Sequence, residues 1–248
     1  MSSYVQSAMH GGVLELRIDR PASKNAITSD MYAQLARALQ DADASNEVES
    51  IILMGGDGIF TAGNDIEDFV AFPPVTDDAP VWRFFRALMH VRQPVIAAVD
   101  GPAIGIGTTM LLHADFVFAT PRSFFAMPFT SLGITPEGAA SVLLPLLVGR
   151  VKAADLLLCG SRVSAEQAAS WGLINAVVDA DALRATAYDR AHALAKLPAD
   201  AVQRTKRLMK EGAEQWVMRQ FASEQQSMVE TVTSPAAKDA FARFLQRR

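Results

Sequence analysis

The chain of 248 residues reads as an α/β protein, a largely parallel sheet wrapped by helices and followed by a helical C-terminal region. Three observations predict this. Through the first three quarters, short apolar runs alternate with segments of helical periodicity, the pattern of βαβ units. From Ala182 onward only helical periodicity is found. The runs Ile51–Met54 and Val95–Val99 carry no charge, as strands covered on both faces do. A core over residues 1–190 and a helical region over 191–248 follow.

The elements can be justified in order. Val13–Asp19 alternates, is rich in β-formers and ends at Arg20-Pro21, so it predicts a strand running into a turn. After the polar loop PASKNAIT, Ser29–Asp43 spaces Met31, Leu35, Ala38, Leu39 and Ala42 as a helix does, with Thr28 or Ser29 as N-cap. Strand Ile51–Met54 ends in the turn Gly55-Gly56-Asp57-Gly58. Ala71–Pro80 carries three prolines and reads as a loop that can act as a lid; a helix over Val81–Val91 follows. Strands are predicted at Val95–Val99, Phe116–Ala119 and Phe124–Ala126, with Gly105-Ile106-Gly107 opening a helix through Leu112. Ala139–Val148 and Val151–Leu158 are helical. Ser164-Ala-Glu-Gln167 is a capping box for a helix ending near Trp171-Gly172, and Ile174–Val178 looks like an edge strand. Four helices close the chain, over Ala182–Lys196, Ala199–Lys210, Trp216–Thr231 and Pro235–Gln246. Pro198 and Pro235 mark two of their starts.

Composition removes several classes of function. Lys and Arg number 23 against 27 Asp and Glu, a net charge of −4, so the basic excess of a nucleic-acid binder is lacking. A lone cysteine, Cys159, excludes an internal disulfide framework and fits a reducing compartment. The N-terminal stretch has no basic start followed by an apolar run, and no unbroken apolar run reaches membrane-spanning length. The expectation is a soluble, cytoplasmic protein without membrane or nucleic-acid partners. His10, His90, His113 and His192 are scattered without ligand spacing, and neither His-Glu-x-x-His nor Gly-x-Ser-x-Gly occurs. No metal is expected.

Two glycine-bearing junctions, Ala62-Gly63-Asn64-Asp65 and Gly105-Ile106-Gly107-Thr108, are placed to present unpaired backbone N–H groups. Two such donors converging on one oxygen form an oxyanion hole. By spacing alone, both junctions also fit ordinary turns. Downstream, Phe124–Leu146 holds a single acidic residue, Glu137, between Pro136 and Gly138 among apolar and small neighbours. A carboxylate so placed either caps a helix or performs chemistry. An apolar pocket would raise its pKa, whereas a helix N-terminus would favour its charged form.

Taken together, RPASKNAIT, FTAGNDI, VDGPAIGIGTTMLLHADFVFAT, FAMPFTSLGITPEGAASVLLPLLVG and SAEQAASWGLINAVV resemble the enoyl-CoA hydratase/isomerase (crotonase) family over about residues 13–180. The resemblance implies a spiral of ββα units, a C-terminal helical trimerisation region, trimers or dimers of trimers, and acyl-CoA thioester substrates. Coenzyme A then belongs to the substrate and no separate cofactor is needed. It further implies oxyanion N–H groups from Asn64 and Ile106, the latter standing where many relatives have Gly, with the adjacent Gly107 among the substrate-binding residues. It places the nucleotide and pantetheine along Ala22, Lys24, Ala26, Ala62, Gly63, Asp65 and Ile66, with Arg247 where relatives often have a C-terminal Lys. Lys24 and Arg247 read equally well as solvated surface charges.

Counting carboxylates narrows the reaction. Hydratases of this family use two glutamates, at positions where this chain has Thr109 and Phe129. Neither side chain is a base near neutral pH. Moving a double bond from C3 to C2 needs only one carboxylate able to reach both C2 and C4. The run Leu-Gly-Ile-Thr-Pro-Glu-Gly resembles the peroxisomal-type Δ3,Δ2-enoyl-CoA isomerases, in which that Glu is the base. The expected activity is this isomerisation with Glu137 as single acid/base. A hydratase or other enolate-forming enzyme on a specialised acyl-CoA, and a non-catalytic acyl-CoA-binding protein, remain as alternatives.

Overall fold

A computed structural model describes residues 4–246. Its first element, β1 (Val5–His10), pairs antiparallel with β2 (Val13–Ile18). The turn between them uses two residues of positive φ, Gly11 and Gly12, as a tight hairpin requires. Only Val5 of β1 is buried, so the strand carries no hydrophobic alternation, and sequence periodicity passes over it. Helix α1 (Ser29–Ala44), capped by the Thr28 side chain, returns the chain to β3 (Ser50–Gly55). Next come α2 (Ile66–Ala71), α3 (Pro80–His90), β4 (Val95–Val99) and β5 (Pro102–Ile104). Helix α4 (Ile106–Thr109) tightens into a 3-10 turn over Met110–His113, ahead of β6 (Phe116–Ala119) and β7 (Phe124–Ala126).

The remaining elements are α5 (Ala140–Val148), α6 (Arg150–Cys159), β8 (Val163–Ser164), α7 (Ala165–Ser170) and β9 (Ala176–Val177), then α8 (Leu183–Ala195), α9 (Ala199–Val232) and α10 (Pro235–Leu245). The capping box expected at Ser164 and Gln167 is present. Position 190 falls inside α8. Residues 211–215 were expected to separate two helices, yet α9 runs through them unbroken. One glycine, Gly212, costs a helix about 1 kcal/mol relative to Ala, and without a proline that cost is too small to end it.

The strands form two sheets. One has the order β1-β2-β3-β4-β6-β9, parallel apart from its first pair; the other has the order β5-β7-β8. The chain passes from β4 in the large sheet to β5 in the small one, back to β6, and out again to β7. Each circuit is a ββα turn of a spiral. Isolated bridges Ile27 to Asn64 and Thr61 to Ala103 continue the small sheet's line towards the N-terminal turns.

Alternation along the central strands decides which layer each residue joins. Ile51, Leu53, Val95, Ala97 and Val99 face the main core with Leu35, Leu39, Phe84 and Phe85 of α1 and α3. Ile52, Met54, Ile96, Ala98 and Phe118 face the other way, onto Leu183, Ala187 and Ala191 of α8. Covering on both faces explains the uncharged runs in the sequence.

Candidate active site

Three loops far apart in sequence are laced together by backbone bonds. The Ala62 N–H donates to the Lys24 carbonyl at 3.0 Å, Ile27 N–H to Gly63 O at 2.8 Å, and Asp65 N–H to Ile27 O at 2.9 Å. The Thr61 hydroxyl donates to Asn25 O at 2.6 Å, and the Ile104 N–H donates to Thr61 O at 3.1 Å. Residues 22–27, 61–66 and 102–107 therefore form one rigid cluster.

Asn25 organises the first of these loops from a fully buried position with φ of +56°. Its side-chain amide donates to Ile59 O and Gly56 O at 2.6 and 3.2 Å and its Oδ1 accepts from Arg20 N–H at 2.7 Å. Asn25→Ala leaves those groups unpaired in the interior. It should lower unfolding free energy by about 2–4 kcal/mol, measured by urea denaturation.

Glycine permits the close approach of the second and third loops. A Cβ on Gly63 would lie 2.7 Å from the Ile104 carbonyl oxygen, and one on Gly107 would lie 2.5 Å from the Thr61 methyl. Gly63 and Gly105 both have positive φ, +91° and +57°. Ile106 is the first residue of α4, where a helix has no internal partner for its N–H. Among the described residues, neither Asn64 N–H nor Ile106 N–H has an acceptor within the protein. Two donors without a backbone acceptor thus sit on loops that pack against each other.

The structure also places the other expected site residues. Ala22 and Lys24 are exposed, Ala26 is buried and Ala62 half-buried on the same cluster. The Asp65 carboxylate caps α2 by accepting from Glu67 and Asp68 N–H, and it pairs with the Arg20 guanidinium at 2.6 Å. Ile66 is buried as the first residue of that helix. Arg247 lies outside the described residues. The 71–80 segment is tied to α3 by the Trp82 indole N–H, which donates to Pro74 O at 3.1 Å.

Glu137 lies three residues before α5, outside the helix, and is fully buried. Neither carboxylate oxygen has a hydrogen-bond partner. Burial, followed by the charge of Glu224, pushes its pKa up to about 8. Of the two opposing influences read from the sequence, desolvation wins because no helix N–H reaches this carboxylate. A carboxylate with no internal partner and a proton affinity near neutrality is suited to take and return a proton. The two hydratase positions hold no acid: Thr109 is buried and donates weakly to Ile106 O at 3.4 Å, and Phe129 is buried beside Gly105.

Tyr32, on α1, was not singled out from sequence. Its buried phenol donates to Asn64 Oδ1 at 2.5 Å, and the Glu137 charge helps hold its pKa well above the usual tyrosine range, after burial itself. A tyrosine on the buried face of a helix needs a partner for its hydroxyl, and that was the available signal. Tyr32 is thus bonded to the loop carrying Asn64 and lies within electrostatic reach of Glu137.

The sequence model of the enoyl-CoA hydratase/isomerase family matches residues 8–248. The chain belongs to that family. OdaA of Pseudomonas aeruginosa superposes with a TM-score of 0.96 at 44% identity, covering 99% of this chain and 100% of OdaA. The 1,2-epoxyphenylacetyl-CoA isomerase of Escherichia coli K12 is 37% identical over 207 residues, 80% of this chain and 78% of that enzyme. Human enoyl-CoA delta isomerase 2 is 32% identical over 80% of this chain, which spans about half (52%) of the human protein. The spiral of ββα turns is therefore the crotonase fold, and the protein is an enzyme of the hydratase/isomerase family acting on acyl-CoA thioesters. Among its described residues, no helix is long and apolar enough to cross a membrane.

Proposed function

We propose that this crotonase-family enzyme is a Δ3,Δ2-enoyl-CoA isomerase with Glu137 as its single acid/base. One observation carries the reading: a buried carboxylate with no hydrogen-bond partner in a chain that also holds two free N–H donors, while both hydratase positions lack an acid. The thioester carbonyl accepts from Asn64 and Ile106 N–H, which acidifies the C2 protons. Glu137 removes one, the dienolate charge rests on the oxyanion donors, and the protonated Glu137 delivers the proton to C4. Burial serves both halves of this cycle, since it makes the carboxylate a stronger base and keeps water from the dienolate. Hydration would need a second group to activate water, and neither Thr109 nor Phe129 can serve as one.

The similarity to 1,2-epoxyphenylacetyl-CoA isomerase favours a second reading, an isomerase of ring-bearing acyl-CoA epoxides. We further propose a homotrimer or dimer of trimers, supported by the exposed apolar side chains Leu208, Met209 and Trp216 on α9.

Purified protein assayed side by side with 3-hexenoyl-CoA, crotonyl-CoA and 1,2-epoxyphenylacetyl-CoA tests the reaction. Turnover of 3-hexenoyl-CoA at least about 10²-fold above hydration of crotonyl-CoA is expected, the contribution of one missing general acid/base. Preferred turnover of the epoxide would establish the second reading. Hydration matching isomerisation, or binding without turnover of any of the three, would overturn the proposal.

A further inference from the structure

The turn that carries Glu137 is held in an unusual backbone conformation. Gly138 and Ala139 both have positive φ, +71° and +58°, and for Ala139 the left-handed region is costly. A side chain on Gly138 would strike the Phe85 ring at 2.4 Å. Something must hold this turn, and two side chains from distant elements grip it.

Glu224, about three-quarters of the way along the chain's long α9, turns its carboxylate inward. Its Oε2 accepts from Ala139 N–H at 2.6 Å; its Oε1 accepts from Ser141 N–H at 2.8 Å and from the Ser141 hydroxyl. Gln220, one turn earlier, donates to the same hydroxyl at 2.8 Å. On the other side, the buried His113 ring holds Gly138 O through Nε2 at 2.7 Å. Burial lowers the His113 pKa to about 4, so the ring is neutral and Nε2 carries the donated proton. Every residue of the strained turn after Glu137 is thereby fixed from outside.

We propose that Glu224 is the positioning residue for Glu137: by clamping the Ala139 and Ser141 N–H groups it fixes the left-handed turn that aims the Glu137 carboxylate. The proposal deepens the isomerase reading and rests on it for its catalytic meaning. The α9 helix, expected from sequence to serve assembly, then also completes the active site.

Charge adds a second consequence. Burial disfavours ionisation of both carboxyls, but Glu224 accepts several hydrogen bonds and Glu137 accepts none. Glu224 therefore ionises first, and its charge makes Glu137 hold its proton more tightly. The other titratable groups around the pair are His113 and Tyr32, with Lys206 and Lys210 of α9 bearing on His113 and Asp68 on Tyr32.

Three measurements on Glu224→Ala and Glu224→Gln test this, two of them independent of turnover. Amide hydrogen exchange should accelerate at Ala139 and Ser141 in the alanine variant, and at one of the two in the glutamine variant, whose amide offers a single acceptor oxygen. The Glu137 carboxyl titration, followed by NMR of labelled glutamate and assigned with Glu137→Gln, should move to lower pH in both variants. For the alanine variant, kcat should fall on the order of 10²-fold with KM little changed, the effect of a misplaced group on a bound substrate.

A titration coinciding with that of the wild type, or unchanged exchange at Ala139 in the alanine variant, would overturn the proposal. Should the alanine variant not fold, the near-isosteric glutamine variant carries the same readouts. Failure of the isomerase reading would look different: Glu137→Gln would keep its turnover while the exchange and titration results stood.

Discussion

Glu137→Gln should lose about 10³–10⁴-fold in kcat on 3-hexenoyl-CoA, because the one group proposed both to remove and to return the proton is gone. Affinity for a non-reacting acyl-CoA should change little, since on the proposed reading the thioester is held by the loops at 22–27, 61–66 and 102–107 and not by Glu137. Undiminished turnover would remove Glu137 from the mechanism. The same variant has a stability signature whose sign follows from burial. The unfolded carboxyl ionises near 4.5, whereas the folded one keeps its proton until about pH 8. Folding therefore becomes progressively harder for the wild type as pH rises from 4.5 to 8, and a residue that cannot ionise escapes this. The stability of Glu137→Gln relative to wild type should rise across that interval, by up to a few kcal/mol. Below pH 4.5 and above about 8 the difference should be flat. Denaturant titrations at pH 5, 6.5 and 8 read the slope directly. An enzyme that gains stability on losing its buried base has been selected for chemistry at that position.

Gly63→Ala should strike the activity harder than its single added methyl suggests. The new methyl would need to share space with the Ile104 carbonyl oxygen 2.7 Å away, and the residue would be held at φ of +91°. A backbone oxygen cannot rotate aside, so the loops carrying Asn64 and Ile106, the proposed oxyanion donors, must separate. Removal of one oxyanion donor costs about 2.7–4 kcal/mol of barrier lowering, so kcat should fall about 10²–10³-fold. Gly149→Ala is the matched control. It has a similar φ of +85° but no heavy atom within 4 Å of the added methyl. With ψ of 153° it lies in a region essentially restricted to glycine, so that variant should lose about 1–3 kcal/mol of stability from backbone strain and keep its activity. Equal kinetic losses in the two variants would show that backbone strain, and not separation of the loops, is responsible.

Sequence made the central strands legible because strands covered on both faces leave uncharged runs, and it made α1 and α7 legible because their caps are local. Elements without a local signature were missed. Strand β1 exposes five of its six residues, β5 is three residues long, and α2 is capped by an aspartate that reads equally as a loop residue. The break expected near Gly212 was absent because tertiary packing outweighs one weak position in a helix of 34 residues.

The site divides the same way. Glu137, Asn64, Ile106 and their glycines could be picked out because each stands in a contiguous motif whose turn chemistry is written in neighbouring residues. Glu224 left a fainter trace: it shares the buried stripe of Phe221, Met228 and Val232, where an acid is out of place without a partner. That partner lies 85 residues away in the chain, and no local pattern points to it. Sequence alone determined which carboxylate is available and which two are missing. Only the tertiary structure decided that this carboxylate is dry, unpartnered and beside a second acid, because proton affinity is set by desolvation and neighbouring charge, and those come from elements that the chain holds far apart.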